Sequence, residues 1–339
     1  MGDLVLAGDI GGTKTVLGLF DAEEGAAGPA LRAVREERFA SREHASFDDL
    51  LQRFLDAGGE RGRVRAACVG IAGAVFDGVS HATNLPWQLS EASIARATGA
   101  PRARLLNDLE AAAFGMLFLP PEAVHVLHAG TRGDERGNVA VVAAGTGLGQ
   151  AFLWWDGRRH HPIASEGGHE DFAPQSDLEI DLLRWLRARY GGHVSWERVL
   201  SGPGLRNLYE FLRETGRYDD APEVRERIRA GGDPSPLVSQ LGLARTSEIC
   251  TAALGLFARL YGAEAGNLAM RWLATGGVFV GGGIAPKILP ALAWGGFLEA
   301  FLAKGRFTPL MESIRVAVCL EPRAGLLGAG HYARGLVRG

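Results

Sequence analysis

"GDIGGTKT" (residues 8–15) stands one residue away from a P-loop. The P-loop pattern is G-x-x-x-x-G-K-[ST]. Gly8, Lys14 and Thr15 fit it, but Thr13 holds the place of the second glycine. Context decides the reading. A P-loop runs from a strand into a helix, so that the helix N-terminus meets the phosphate. Here the apolar run "LVLAGDI" (4–10) leads into the turn, and "KTVLGLF" (14–20) resumes a β-rich pattern until "DAEEGAAGP" (21–29) breaks it. The stretch predicts strand, glycine turn, strand. A second stretch has the same layout: "NVAVVAA" (138–144), "GTGLG" (145–149) and "QAFLWW" (150–155). It reads G-x-G-x-G, not the dinucleotide pattern G-x-G-x-x-G, and again no helix follows.

Two such hairpins about one domain length apart point to two α/β lobes with both loops facing one polyphosphate across a cleft. Backbone N–H groups in turns of this kind form anion-binding nests, where a Cβ would block the approach. Either loop alone also reads as a plain hairpin turn. At 339 residues the chain exceeds what a single core sustains, so two domains are expected. With 47% hydrophobic and 22% charged residues it has the composition of a soluble globular protein. A net charge of -3 argues against a nucleic-acid footprint. No apolar run is long enough to span a membrane, and "MGDLVLAGD" lacks the basic start of a secretory signal. Cys68, Cys250 and Cys319 are scattered and form no CxxC pair, which suits a reducing cytoplasm. Residues 175–275 read as mainly helical. A third glycine group, "TGGVFVGGGIAPKIL" (275–289), ends a strand in three glycines with a helix starting near Ala285. "AGLLGAGHYARGLV" (324–337) reads as a closing helix.

The chemistry-bearing residues cluster in few places. Asp9 ends a buried strand and points into the first turn, a costly place for a carboxylate unless it caps the turn or works on a metal-bound phosphate. In "RLLNDLEAAAFG" (104–115) Asn107 and Asp108 lie where a strand runs into a helix. Asp108 reads either as the helix N-cap or as the carboxylate that takes a hydroxyl proton during phosphoryl transfer. "SEGGHEDFAP" (165–174) offers Glu166, His169, Glu170 and Asp171. Zinc is the rival there because His160 and His161 are near. However, Pro162, Gly167 and Gly168 break any helix that would pair two histidines, and no Cys joins them. A ring of carboxylates and imidazole suits a sugar instead, whose hydroxyls each donate and accept. Glu197, in "HVSWERVLSGPG" (193–204), reads as sugar-binding or as a charge favourably placed at a helix start.

Together these segments resemble the bacterial ATP-dependent glucokinase family, over nearly the whole chain. "GDIGGT" resembles its first phosphate loop, "AGTGLG" its second, and "NDLEAAAFG" its catalytic segment. "EGGHEDFAP" and "HVSWERVLSGPGL" resemble its sugar-binding segments, and "GGVFVGGGI" its adenosine-side segment. The resemblance implies the two-lobed α/β fold of actin-like ATPases (ribonuclease H-like). The small domain would span residues 1–118 and about 322–339, and the large domain 119–321, with the helical insertion at about 175–275. It implies glucose contacts from Asn107, Asp108, Glu166, His169 and Glu197, with Asp108 as the base. ATP contacts would come from Gly8, Asp9, Ile10, Gly11, Gly12, Thr13, Gly145, Thr146, Gly147 and Gly282, with Asp9 acting on Mg²⁺ through its water shell. It further implies a cytoplasmic homodimer without zinc, nucleic-acid or membrane partners. Leu109 stands where Phe often follows the Asn-Asp pair, and Ser165 where Gly often precedes the Glu. Both adjoin the site and bear on sugar selectivity. The cysteine cluster of the zinc-containing ROK branch is missing. Two other readings stay open, a kinase for another hexose and a sugar-sensing regulator. The regulator reading would need a DNA-binding module before Gly8, where seven residues leave no room.

Overall fold

The computed structural model describes residues 3–22, 31–58, 61–82, 84–131 and 136–338; most of "DAEEGAAGP" (21–29), read as ending the β-rich pattern, lies outside them. The chain falls into two compact units. One comprises Met1–Ala123, His160–Ala164 and Glu321–Gly339, and the other Val124–Arg159 and Ser165–Leu320. These bounds stand beside the expected 1–118 with 322–339 and 119–321.

The first unit opens with β1 (Leu4–Ile10), β2 (Lys14–Asp21) and β3 (Ala33–Ala40), followed by α1 (Phe47–Gly58) and β4 (Val64–Ile71). A small antiparallel sheet follows, β5 (Val75–Phe76), β6 (Val79–His81) and β7 (Gln88–Ser90). Then come α2 (Glu91–Thr98), β8 (Arg102–Asn107) and α3 (Asp108–Met116). The main sheet has the order β3-β2-β1-β4-β8. β1 pairs antiparallel with β2 and parallel with β4, and β4 runs parallel to β8. Both faces of the sheet are covered, which is why β1 is apolar nearly throughout. Leu4, Leu6 and Ile10 join the core containing Leu50, Leu51 and Phe54 of α1, whereas Val5 and Ala7 join the opposite core with Ala111 of α3. With a side-chain period of two, Asp9 follows Val5 and Ala7 onto the α3 face.

The second unit contains β9 (Val124–His128), β10 (Val139–Ala144) and β11 (Leu148–Trp155), whereas β12 (His160–Ser165) belongs, but for Ser165, to the first unit. Five helices follow: α4 (Asp177–Tyr190), α5 (Gly202–Glu214), α6 (Pro222–Arg229), α7 (Ser235–Ala244) and α8 (Glu248–Arg271). Then come β13 (Gly277–Gly281), α9 (Leu289–Leu292), α10 (Gly296–Leu302), α11 (Thr308–Ser313) and β14 (Val316–Cys319). Within this unit the strands run in the order β11-β10-β13-β14-β9, with β10, β13 and β14 parallel. The helix expected near Ala285 begins as a 3-10 turn, Ala285–Ile288, before α9. Pro286 and Pro290 interrupt the hydrogen-bond ladder that would have made one helix. α8 is apolar nearly all round and buried on most of its surface, as befits a core helix. Finally α12 (Ala324–Arg338) returns the chain to the first unit, where it packs on α3, β1 and β4. No helix among the described residues is long and apolar enough to cross a membrane. The three cysteines are buried and unbridged.

Candidate active site

The first glycine turn is a hairpin. β1 and β2 pair as far as Ile10 and Thr15, and the Gly11 N–H donates to the Lys14 carbonyl at 2.9 Å. Its residues play different parts. Gly8 lies inside the sheet, where a Cβ would stand 3.1 Å from Leu17 and Val69; it is a packing glycine. The Ile10 side chain is core, so only its backbone faces the turn. Gly12 lies against Asn84, 2.8 Å from where its Cβ would be. Thr13 and Lys14 are exposed. The turn is stapled by buried Ser41, which sequence reasoning missed. Its Oγ donates to the Gly11 carbonyl at 2.9 Å and lies 3.0 Å from Thr15 Oγ1, and its N–H reaches the Thr13 carbonyl at 3.1 Å. The signal for it was weak, a small polar residue directly after β3.

Asp9 stands in register between Val16 and Gly70. Burial raises its carboxyl above the ordinary range, against a lowering by Lys14. Gly325, in the first turn of α12, leaves the carboxyl room, since a Cβ there would lie 3.3 Å from Asp9 Cγ. Gly70 in turn lets α3 start close to the sheet, its Cβ position being 3.7 Å from Asp108 Cα. The helix-cap reading of Asp108 needs correction. The N-cap is Asn107, whose Oδ1 accepts the Leu109 N–H at 2.9 Å, while its own N–H donates to Glu110 Oε2 at 2.8 Å, a capping box. Asn107 Nδ2 donates to the Gly73 carbonyl at 3.2 Å. Asp108 is thereby freed from the cap. It is the first helical residue, with one oxygen taking the Leu109 N–H at 2.8 Å. Burial, and secondarily the negative charge of Asp9, push its carboxyl up to about 6, although the Leu109 N–H works the other way. Two carboxylates, one raising the other, form a donor set that a hard cation would relieve. Among the described residues no three His, Cys, Asp or Glu side chains converge to hold a metal. Mg²⁺ fits that sparse set, because it keeps several waters and is commonly held by one or two carboxylates with substrate phosphates.

The second glycine turn lies in the second unit and is closed by the Gly145 N–H on the Gly147 carbonyl at 2.8 Å. A Cβ on Gly145 would meet nothing within 4 Å, and Thr146 is exposed. Gly282 backs the turn. At φ 80 it adopts the left-handed backbone that favours glycine, and a Cβ would overlap the Ala144 carbonyl. The strand ends beneath are tied by Tyr261 of α8. Its hydroxyl accepts the Ala144 N–H at 2.9 Å and lies 3.1 Å from the Gly281 carbonyl.

Glu197 sits in a 3-10 turn, Trp196–Arg198, not at an α-helix start; α5 begins at Gly202 with Ser201 as its cap. Instead of serving a helix dipole, Glu197 Oε2 accepts the Leu148 N–H at 2.9 Å, and Gly202 N–H donates to the Gly145 carbonyl at 2.9 Å. Glu166 precedes another 3-10 turn, Gly167–His169, closed by the His169 N–H on the Glu166 carbonyl at 2.9 Å. Gly168 packs so closely on the Leu148 carbonyl that a Cβ would overlap it. The Glu170 carbonyl accepts the Trp196 N–H at 2.9 Å. The structure therefore gathers Glu166, His169 and Glu197 around Leu148, next to Gly145–Gly147. Asp9, Asn107 and Asp108 are gathered in the first unit.

Glycine hairpins at the heads of two α/β units, one beside an Asn-Asp helix start, are the marks of a phosphotransferase of the actin-like ATPase fold, and solved structures agree. A glucokinase from an Antarctic psychrotroph matches with a TM-score of 0.86 at 30% identity, covering 99% of this chain and 100% of that one. A ROK family glucokinase from Streptomyces griseus, in complex with glucose and AMPPNP, shares the fold with a TM-score of 0.63 at 24% identity, over 98% of this chain and 99% of that one. Residues 6–336 match the Glucokinase family, and the glucokinase of Synechocystis sp. is 40% identical over 346 residues, 97% of each chain. The chain belongs to the glucokinase family.

Proposed function

We propose that this chain phosphorylates glucose at its 6-hydroxyl with ATP, giving glucose 6-phosphate and ADP, and that it does so as a cytoplasmic homodimer. The observation that carries the mechanism is the state of Asp108. It is a carboxylate at a helix start, released from capping by Asn107 and raised to about 6 by burial and by Asp9. A general base works best when its pKa lies near the operating pH, so that it is ionised yet still takes a proton. In the reaction the glucose 6-oxygen forms a bond to the γ-phosphorus, and the bond from that phosphorus to the β,γ-bridging oxygen breaks. The hydroxyl proton passes to Asp108 Oδ, and the electron pair leaves with ADP.

Asn107, Glu166, His169 and Glu197 hold the sugar hydroxyls. The backbone N–H groups of Gly12, Thr13, Thr146 and Gly147 receive phosphate oxygens, with Gly282 behind, while those of Gly11 and Gly145 close the two turns. The two compact units serve as the small and large domains, with His160–Ala164 assigned to the small one. When bound, Mg²⁺, held through water by Asp9, supplies positive charge to the phosphates. The test is a coupled assay of a sugar panel against ATP, GTP and polyphosphate. Glucose with ATP should give the highest kcat/KM. Turnover confined to another sugar, or to a donor other than ATP, would overturn the proposal.

A further inference from the structure

Under the turn that carries Glu166 and His169 lies a polar cluster that neither substrate explains. Gln150 of β11 is buried, and its Nε2 donates to Glu264 Oε1 at 2.8 Å. Glu264, buried within apolar α8, takes the Asn267 Nδ2 at 3.0 Å on its other oxygen. Lys304 Nζ donates to Asn267 Oδ1 at 2.8 Å and to the Ala263 carbonyl at 2.9 Å. At the other end of the chain of contacts, Gln150 Oε1 is buried without a hydrogen-bond partner. It faces Gly167, on which a Cβ would overlap it, and Ser165 Oγ stands beside the same position, accepting the Gly167 N–H at 3.0 Å. A buried carbonyl oxygen left unpaired costs about 1–3 kcal/mol.

One proton resolves the conflict. If Glu264 is protonated, its O–H donates to the amide oxygen of Gln150, and the turned amide presents its N–H donors toward Gly167 and Ser165. We propose that Glu264 is a positioning residue for the sugar site, acting through Gln150 on the Gly167 turn, and that its proton selects between the two orientations of the Gln150 amide. The proposal rests on the sugar-binding reading of Glu166 and His169. Burial pushes Glu264 up to about 7, so the proton is exchanged in the neutral range. The hydrogen bonds from Asn267 and Gln150 and the charge of Arg271 favour the ionised form, whereas Glu170 opposes it. Lys304, itself lowered by burial, faces the cluster from beyond α10. Glu179 and Glu299 are engaged with Arg259 farther along α8.

The experiment is calorimetric titration of glucose into the full chain between about pH 6 and 8, with AMPPNP titrated in parallel as a control for folding. Wild-type protein should bind glucose more weakly as the pH rises through about 7, by about tenfold, while AMPPNP affinity stays level. Glu264→Gln, neutral at every pH, should bind as the wild type does at low pH and show no slope. Gln150→Met, which fills the space without polar groups, should bind glucose about tenfold more weakly at every pH. Identical slopes in wild type and Glu264→Gln, with AMPPNP binding intact, would overturn this inference and leave the sugar site standing. Wild-type protein that binds no glucose would overturn both.

Discussion

In the first glycine hairpin the carboxylate belongs to the strand itself: Asp9 is two residues from Gly11, and its charge helps to raise a second carboxylate, Asp108. In the second hairpin the flanking strands supply no acid. Glu197 reaches in from 49 residues along the chain to take the Leu148 N–H. The staples differ in the same way. Ser41 holds the first turn from an adjoining strand end, whereas Tyr261 holds the base of the second from a buried core helix. The glycines differ too, because Gly8 is filled in on both sides and Gly145 faces open space. Similar backbone plans thus serve unlike ends. The first loop is charged and close to the proposed base, and the second is neutral and tied to the turns proposed to bind the sugar.

The sharpest way to break this comparison is at Asp108. Asp108→Asn should lower kcat by about 10²- to 10⁴-fold while glucose still binds. The same substitution should not cost stability. Folding raises this carboxyl from its ordinary 3.8 to about 6, so the folded state holds the proton more tightly than the unfolded chain. Ionised Asp108 is therefore a burden above pH about 6 that fades as the pH falls toward 4, and at neutral pH its removal should stabilise the protein by up to about 3 kcal/mol. Thermal melts of both forms at pH 7 check this. The acid limb of kcat/KM should lie near pH 6 in the wild type. It should move lower in Asp9→Asn, since one raising charge is gone.

Glu197 tests the second hairpin. Glu197→Ala should raise KM for glucose and for ATP together, by about tenfold or more, because it frees the Leu148 N–H. Glu197→Gln keeps an acceptor for that N–H and should raise the glucose KM alone. Equal effects of the two variants on ATP would mean that the contact to Leu148 does not hold the loop.

The glycines offer a crossed pair. Gly145→Val should weaken ATP binding with the melting temperature of the free protein unchanged. Gly8→Ala should do the reverse, losing about 1–3 kcal/mol to crowding against Leu17 and Val69 while the folded fraction binds ATP normally. Smallest of all, Tyr261→Phe should cost about 1–2 kcal/mol by leaving the Ala144 N–H unpaired, with a modest rise in the ATP KM read by steady-state kinetics.

Both hairpins were legible from the sequence because a glycine turn between two β-rich runs leaves few alternatives, and the Asn-Asp pair announced the strand-to-helix junction. What could not be read was which of two adjacent capping residues caps. Asn107 and Asp108 have nearly equal propensity, and Glu110, three residues beyond Asn107, decided it through the capping box. Glu197 was misplaced onto a helix start because a short 3-10 turn has no sequence period of its own. Ser41, Gln150 and Tyr261 act through partners distant in sequence, and one chain carries no record of such pairings. Tyr261 and Glu264 did leave a trace, as two of the few polar groups, with Arg259 and Asn267, within the largely apolar "LGLFARLYGAEAGNLAM" (254–270).

α12 rests on α3 through glycines. A Cβ on Gly115 would overlap the Ala324 carbonyl, and one on Gly328 would overlap that of Ala111. These two helices are separated by roughly 200 residues of chain, so the contact that covers one face of the first sheet becomes available only after the second unit has been synthesised. At about 5–20 residues per second, the ribosome takes about 10–40 s to bridge that interval. For that time the nascent first unit exposes Val5, Ala7, Phe20, Ala66 and Ala111, the floor on which Leu326, Ala329 and Ala333 later settle. The second unit, contiguous apart from a five-residue excursion, has no such wait. The chain should therefore acquire protease resistance in its middle before its beginning, and the strand bearing Asp9 should be the region most dependent on chaperones.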